Sequence, residues 1–169
     1  GGPFVAIDPR QKQPKDEVSI ANLQNMLKSL PLAEPLEGDY KLVSRFGMRR
    51  DPFNKRQALH AGLDFSAAFR SPIYNTAPGT VVFAGAKAEY GRVVEIDHGH
   101  GIVTRYAHLH RAMVVSGQRL TGRELIGQLG SSGRSSGPHL HYEVLVNGVP
   151  QNPERFLEAG RSAVKLVKN

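Results

Sequence analysis

Residues 137–144 read Gly-Pro-His-Leu-His-Tyr-Glu-Val, a run with strand character that carries two histidines two positions apart. Side chains alternate between the two faces of a strand, so His139 and His141 are expected on one face. Leu140 and Tyr142 then belong to the opposite face. The stretch predicts a strand with one imidazole-bearing face and one apolar face.

The other histidines are concentrated in the same half of the chain. All seven lie between positions 60 and 141, and the first 59 and the last 28 residues contain none. A lone histidine is usually a packed or surface residue, but seven in one block indicate a metal site or an acid–base site. The chain has no cysteine, so disulfides are excluded and His, Asp and Glu remain as possible metal ligands.

Length and composition describe a globular chain. Its 169 residues suit one domain with an extension, and 40% hydrophobic and 22% charged residues are values typical of folded proteins. No apolar run approaches the roughly 20 residues that a membrane span needs. No signal peptide is visible, so we expect either a cytoplasmic protein or a mature or trimmed form of an exported one.

The charge balance indicates an anionic partner. The sequence has 22 basic and 15 acidic residues, a formal net charge of +7. Nucleic acid, acidic lipid and an acidic wall polymer would all satisfy this charge. The sequence contains no recognisable nucleic-acid-binding motif, so we predict no nucleic-acid partner.

Residues 1–39 are predicted to form an N-terminal extension, with a flexible lead-in over residues 1–15. A helix is predicted over about residues 16–30, because apolar residues recur at helical spacing at Ile20, Leu23, Leu27 and Leu30. Pro31 ends it, and residues 31–39 form a Pro-rich linker. The helix either packs on the side of the domain, continues an upstream coiled coil, or covers the site as a regulatory segment.

Residues 40–160 carry a β pattern of short apolar runs separated by glycine-containing turns. This pattern predicts a mainly β domain with a small antiparallel, sandwich-like or barrel-like core. A short C-terminal helix is predicted over residues 153–158 with Gly160 as its stop, followed by a basic tail over residues 161–169. The predicted strands are 42–46, 80–84, 92–97, 102–108, 125–129 and 139–146.

Two further stretches repeat the even spacing of polar side chains. His60, Gly62 and Asp64 are predicted on one strand face, with the glycine leaving room for a ligand, and His108 and His110 share a face of another strand. Two histidines and one carboxylate leave an open position on a zinc ion, as catalytic sites require. The same donors also describe the facial triad of iron oxygenases, which remains an alternative.

Three ordered motifs carry a resemblance to a known family. They are His60-x-x-x-Asp64, Tyr106-Ala107-His108-Leu109 and the run from Gly137 to His141. With their flanking residues, from about residue 43 to about residue 157, they resemble the lysostaphin-type, or LytM-domain, zinc metallopeptidases.

The resemblance implies a role for five residues. His60, Asp64 and His141 would bind one zinc ion, and His108 and His139 would be the catalytic imidazoles beside a metal-bound water. Spacing alone does not choose between His139 and His141 as the ligand. It is the family pattern that makes this choice and that selects His108 over its neighbour two residues later.

The resemblance also implies a fold, an activity and a location. Family members have a small antiparallel β core with a groove, and they hydrolyse peptide cross-links or stem peptides of bacterial peptidoglycan. We therefore expect a zinc endopeptidase in the periplasm or cell envelope. The alternative is a non-catalytic module that binds the wall or regulates another hydrolase. A regulatory protein partner is compatible with either function.

Two groups of charged or titratable residues lie outside the motifs. His98 and His100 lie in a glycine-punctuated turn and are predicted to be surface residues. A basic loop precedes His60, and its side chains either bind stem-peptide carboxylates or are simply solvated; they are Arg49, Arg50, Lys55 and Arg56.

Overall fold

The computed structural model describes residues 14–168, with side chains described from Ser19 onward. The predicted lead-in over residues 1–15 lies almost wholly outside the described residues. In chain order the elements are α1 (Pro14–Lys28), β1 (Lys41–Ser44), β2 (Gly47–Arg50), β3 (Gln57–His60), β4 (Leu63–Ser66), β5 (Pro72–Tyr74), β6 (Gly79–Lys87), β7 (Gly91–Asp97), β8 (Ile102–Ala112), β9 (Arg119–Leu120), β10 (Leu125–Leu129), β11 (Leu140–Val146), β12 (Val149–Gln151) and α2 (Pro153–Lys168).

Ten of these strands form one antiparallel sheet. Its main path runs β1-β4-β11-β8-β7-β6-β9, while β10 pairs with β5 and β8, and β12 pairs with β11. Strands β2 and β3 form a separate two-stranded sheet. Strand β11 therefore lies between β4 and β8, the two strands that carry the other histidine motifs or their neighbours.

Strand β11 shows the predicted alternation. Leu140, Tyr142 and Val144 are fully buried in the hydrophobic core. Because alternate side chains face opposite sides of a strand, His141 and Glu143 lie on the other face. The apolar face of this strand therefore fixes the direction of its polar face.

A buried polar network crosses the core. Tyr106 on β8 is the direct partner of Tyr142 on β11, and both hydroxyls lie 2.9 Å from Thr76 Oγ1. Thr104 Oγ1 donates to Tyr106 at 3.0 Å and lies 2.7 Å from His98 Nε2. The prediction that His98 is a surface residue is wrong, because its ring closes this network; His100, its partner in that prediction, is exposed.

Helix α1 leaves its apolar face in solvent. It begins at Pro14 and ends at Lys28, close to the predicted 16–30. Ile20, Leu23 and Leu27 are 58%, 57% and 55% exposed. The prediction that this face packs on the side of the domain is therefore wrong for these three residues, whereas Leu30, the fourth residue of the predicted face, is partly buried against the core.

The segment predicted as a linker lies against the β domain. Leu36 is 1% exposed and belongs to the core. The backbone of Ala33 donates to Thr76 O, and Pro35 O accepts from Tyr74 N at 2.9 Å. Residues 31–39 are thus anchored to the strands, although the domain boundary at residue 40 stays a prediction.

Helix α2 is longer than predicted. It begins at Pro153, where Asn152 Oδ1 accepts from Glu154 N and caps the helix, and it continues to Lys168. Gly160 does not end it. A Cβ at Gly160 would lie 2.0 Å from Leu32 O, so this glycine permits close packing of α2 on the preceding segment. The predicted basic tail is helical through residue 168.

The predicted fold class is confirmed as mainly β with a large antiparallel sheet and a helix near each end. Among residues 14–168, no helix is long and apolar enough to cross a membrane.

Candidate metal centre

The first two candidate ligands lie on different strands. His60 ends β3, which pairs with β2 in the small sheet, whereas Asp64 lies in β4 of the large sheet. The prediction that they share one strand face is wrong, because the chain leaves the small sheet at Ala61 and enters the large one at Leu63. Asp64 is the direct cross-strand partner of His141 on β11, so two sheets converge on this point.

Gly62 lies at the crossing between the two sheets. A Cβ there would lie 2.3 Å from Tyr142 O and 2.9 Å from Glu143 Cγ. The space that the sequence suggested for a ligand is instead occupied by the backbone of β11. Glycine at this position therefore lets β4 and β11 approach closely enough for their polar side chains to meet.

The three predicted ligands meet in space. His60 Nε2 lies 3.3 Å from His141 Nδ1 and 3.2 Å from Asp64 Oδ1, and His141 Nδ1 lies 2.8 Å from Asp64 Oδ1. Zinc bonds of about 2.0–2.2 Å at tetrahedral angles separate ligand atoms by roughly 3.3–3.6 Å. The separations of His60 Nε2 from His141 Nδ1 and from Asp64 Oδ1 are close to this spacing. The separation between His141 Nδ1 and Asp64 Oδ1 must lengthen when zinc binds. The donor set therefore fits a zinc ion.

Hydrogen bonds fix which nitrogen of each ligand imidazole faces the cluster. His60 Nδ1 lies 2.7 Å from the carbonyl oxygen of Arg45, and His141 Nε2 lies 2.8 Å from Glu143 Oε1. Both oxygens accept, so these nitrogens carry the protons. Nε2 of His60 and Nδ1 of His141 then face Asp64. These are the nitrogens that would bind a metal, once any proton on them is displaced.

His108 reaches the site through a bulge rather than through regular alternation. Between Tyr106 and Leu109, three steps along β8 oppose two steps along β7, from Val94 to Arg92. His108 itself has a φ of 59°, a left-handed conformation that is costly for a residue with a Cβ. This extra residue turns the His108 side chain towards β11, where its ring centroid lies 5.9 Å from that of His141.

His108 and His139 are also anchored by a hydrogen bond to one ring nitrogen. The Nδ1 of His108 donates to Ser132 O at 2.8 Å, and the Nδ1 of His139 lies 2.9 Å from Gly137 O. In the neutral form of each ring, Nε2 is then the nitrogen that can accept a proton. The two ring centroids are 4.7 Å apart, and His139 Nε2 lies 3.9 Å from Asp64 Oδ1. Two more basic nitrogens thus lie beside the metal cluster.

The environment shifts the pKa values of His108, Asp64 and His141. Burial, opposed by the bond to Ser132 O, lowers the pKa of His108 to about 4, so its ring is neutral at pH 7. Although burial opposes it, hydrogen bonds from His141 and His60 hold the pKa of Asp64 well below its usual range. Burial also opposes the change at His141, where hydrogen bonds to Asp64 and Glu143 raise the pKa to about 9. A metal therefore competes with a proton at His141.

These side chains line a cavity of about 380 Å³. On one wall, Arg134 donates to Asp51 Oδ1 at 2.7 Å and lies 4.4 Å from the centre of the Phe53 ring. Arg49 also lines the cavity, with its Nη2 3.8 Å from Asp64 Oδ2. The other three cations of the predicted basic loop are exposed; they are Arg50, Lys55 and Arg56.

The neighbouring histidine of β8 takes no part in the cluster. His110 was predicted to share a face with His108, but its ring packs edge-on against Phe69 at a centroid distance of 4.9 Å. The bulge at His108 breaks the alternation on which that prediction depended.

Sequence reasoning assigned no role to Glu143, although it lies two residues after His141 and thus on the same strand face. It is 1% exposed and contacts His141 directly. The even spacing of His139, His141 and Glu143 was a usable signal.

Comparison with known proteins identifies a peptidase family. Residues 58–153 match peptidase family M23. The peptidoglycan DD-endopeptidase ShyA of Vibrio cholerae is 40% identical over 119 residues, which cover 70% of this chain and 28% of ShyA. The chain spans about a quarter of the length of the curated relatives it matches.

Two solved structures show the same fold. A zinc-containing peptidase from Vibrio cholerae superposes with a TM-score of 0.66 and 34% identity, covering 70% of this chain and 37% of that one. The catalytic domain of lysostaphin from Staphylococcus simulans gives a TM-score of 0.64 and 28% identity, covering 70% and 92%. The predicted resemblance to lysostaphin-type metallopeptidases is confirmed.

Proposed function

The chain belongs to peptidase family M23, and on this premise we propose that it is a zinc-dependent endopeptidase that hydrolyses peptide cross-links or stem peptides of bacterial peptidoglycan. The observation that carries the proposal is the convergence of the inner atoms of His60, Asp64 and His141 at one point, beside the Nε2 atoms of His108 and His139. A wall substrate implies that the protein works in the periplasm or cell envelope.

We propose His60 Nε2, Asp64 Oδ1 and His141 Nδ1 as the ligands of one zinc ion. When bound, zinc supplies a Lewis acid that lowers the pKa of a water molecule towards about 7 and polarises a peptide carbonyl. The outer N–H groups of both imidazoles are already satisfied by Arg45 O and Glu143, so the ligands are oriented before any metal arrives.

His108 and His139 are the proposed catalytic imidazoles. Each anchors its Nδ1 on a backbone carbonyl and keeps Nε2 available as a base. The low pKa of His108 keeps that nitrogen unprotonated at pH 7. The pair can accept a proton from the attacking water and return it to the leaving amine, which is general acid–base catalysis.

The family membership disfavours the iron oxygenase alternative. The non-catalytic wall-binding module differs from the endopeptidase in one measurable respect, which is product release. In the proposed enzyme, five groups suited to hydrolysis are assembled in one cavity, which a binding module would not need.

The test is digestion of purified sacculi from Gram-negative and Gram-positive cells by zinc-loaded protein, with mass spectrometry of the soluble fragments. We expect loss of cross-linked fragments that a chelator prevents and added zinc restores. His108→Ala protein that retains zinc is the matched control and should release nothing. Zinc-loaded wild type that binds sacculi without releasing fragments would support the non-catalytic module instead.

A further inference from the structure

A buried carboxylate stands directly behind the proposed metal ligand His141. Glu143 is 1% exposed, lies two residues along β11 and pairs across the sheet with Arg105 on β8. Burying a carboxylate costs free energy unless its oxygens are paired. Among the carboxylates that line the metal cavity, Glu143 is the least exposed, so its oxygens need partners inside the protein.

Both oxygens of Glu143 are satisfied. Oε1 lies 2.8 Å from His141 Nε2 and accepts from the Tyr90 hydroxyl at 3.0 Å, while Oε2 accepts from Arg105 Nη1 at 2.6 Å. Arg105 Nη1 also donates to the Tyr90 hydroxyl at 2.9 Å, and its Nε lies 3.3 Å from Glu95 Oε1. Tyr90 and Arg105 therefore hold the carboxylate in place independently of its contact with the imidazole of His141.

This arrangement determines the orientation of the imidazole. An ionised carboxylate only accepts hydrogen bonds, so it retains the proton on Nε2 of His141 and leaves Nδ1 for the cluster. A carboxylate that binds the outer N–H of a ligand histidine fixes its tautomer and raises its basicity as a ligand. Arg105 and Tyr90 fix the carboxylate in turn.

We propose that Glu143 is a positioning residue for the metal centre, holding His141 so that Nδ1 faces the ion, with Arg105 and Tyr90 as its supports. The inference rests on the proposed function only in that the site holds zinc. It needs no peptide hydrolysis, and its tests therefore measure metal binding and tautomer rather than turnover.

The first test is zinc affinity, measured by competition with a chromophoric chelator, for Glu143→Gln and a matched control. Glu95→Gln removes the other carboxylate that contacts Arg105, but Glu95 has no contact with His141 among the described hydrogen bonds and ion pairs. We expect Glu143→Gln to bind zinc about 10–100-fold more weakly and Glu95→Gln to bind it as wild type does. Equal affinities in the two variants would overturn the proposal.

The second test is the nitrogen NMR spectrum of the His141 ring in zinc-loaded wild type, which needs no variant. We expect Nδ1 to carry the signature of a metal-bound nitrogen and Nε2 to carry a proton protected from exchange. The reverse assignment would overturn the proposal. If Glu143→Gln does not fold, Tyr90→Phe serves in its place. It removes one donor to Glu143, and we expect weaker zinc binding; unchanged affinity in this variant would count against the proposal.

These outcomes separate the two proposals. Zinc-loaded protein that shows the expected tautomer and affinities but leaves sacculi intact would contradict the endopeptidase alone. Active enzyme with unchanged zinc affinity in Glu143→Gln would contradict the positioning role alone.

Discussion

Replacing Gly62 with alanine tests whether the close approach of β4 and β11 builds the metal centre. The added methyl group would lie 2.3 Å from Tyr142 O, a backbone atom. An ordinary contact begins at 3.4 Å, so the separation must lengthen by 1.1 Å. Since Asp64 and His141 are cross-strand partners on these two strands, the shift has to move one ligand relative to the other.

The magnitude follows from overpacking and from ligand geometry. Forcing an extra methyl group into a packed interior costs about 1–3 kcal/mol, and metal sites require ligand distances within about 0.2 Å. We therefore expect Gly62→Ala to lose about 1–3 kcal/mol of unfolding free energy relative to the control below and to bind zinc more than about tenfold more weakly.

Gly122→Ala is the matched control, because a Cβ at Gly122 has nothing within 4 Å and its φ is not positive. Both variants share the entropic effect of alanine on the unfolded chain, so their difference isolates the clash. Urea unfolding of the zinc-free proteins gives stability, and chelator competition gives zinc affinity. If the two variants have the same stability and the same zinc affinity, the close approach of β4 and β11 does not build the metal centre.

Three further predictions concern the catalytic roles, a buried histidine and the N-terminal segment. His141→Ala should lose zinc and activity together, whereas His108→Ala should lose turnover and keep most of its metal; an empty site in His108→Ala would contradict the assignment of ligand and catalyst. Burial lowers the pKa of His98 from 6.5. As the pH falls below about 6.5, His98 is therefore protonated in the unfolded chain more readily than in the folded chain, and the free energy of unfolding decreases. Urea unfolding at about pH 7.5 and about pH 5.5 should show a larger loss in wild type than in His98→Gln, and equal losses would contradict this cause. Leu23→Ala should leave stability nearly unchanged because Leu23 is 57% exposed, whereas Leu36→Ala should cost about 2–5 kcal/mol because Leu36 is buried. An increase in activity on removal of residues 1–28 would indicate an inhibitory helix.

The sequence predicted the β11 half of the site well, because a strand with one buried apolar face has only one arrangement of its alternate side chains. His139 and His141 both line the cavity, as their spacing predicted. The same reasoning failed at His108 and His110, where a bulge in β8 adds a residue. A bulge depends on pairing with neighbouring strands, and single-sequence alternation contains no information on that pairing.

Other predictions were wrong or incomplete where the role of a residue depends on a contact with a residue far away in the sequence. Gly160 resembled a helix stop but is required by the approach of Leu32 O. Leu36 resembled part of a linker but is buried in the core. Glu143 had the right spacing for the site, yet its role depends on Arg105, 38 residues away in sequence. None of these contacts can be identified without the tertiary packing of the chain.

Anomalous diffraction from crystals of the zinc-loaded protein, recorded at the zinc edge, tests the proposed site most directly. We expect one strong peak bound by His60 Nε2, Asp64 Oδ1 and His141 Nδ1 at about 2.0–2.2 Å, with the Nε2 atoms of His108 and His139 facing the open position. A peak bound by His139 in place of His141, or one that includes His108 as a ligand, would contradict the assignment.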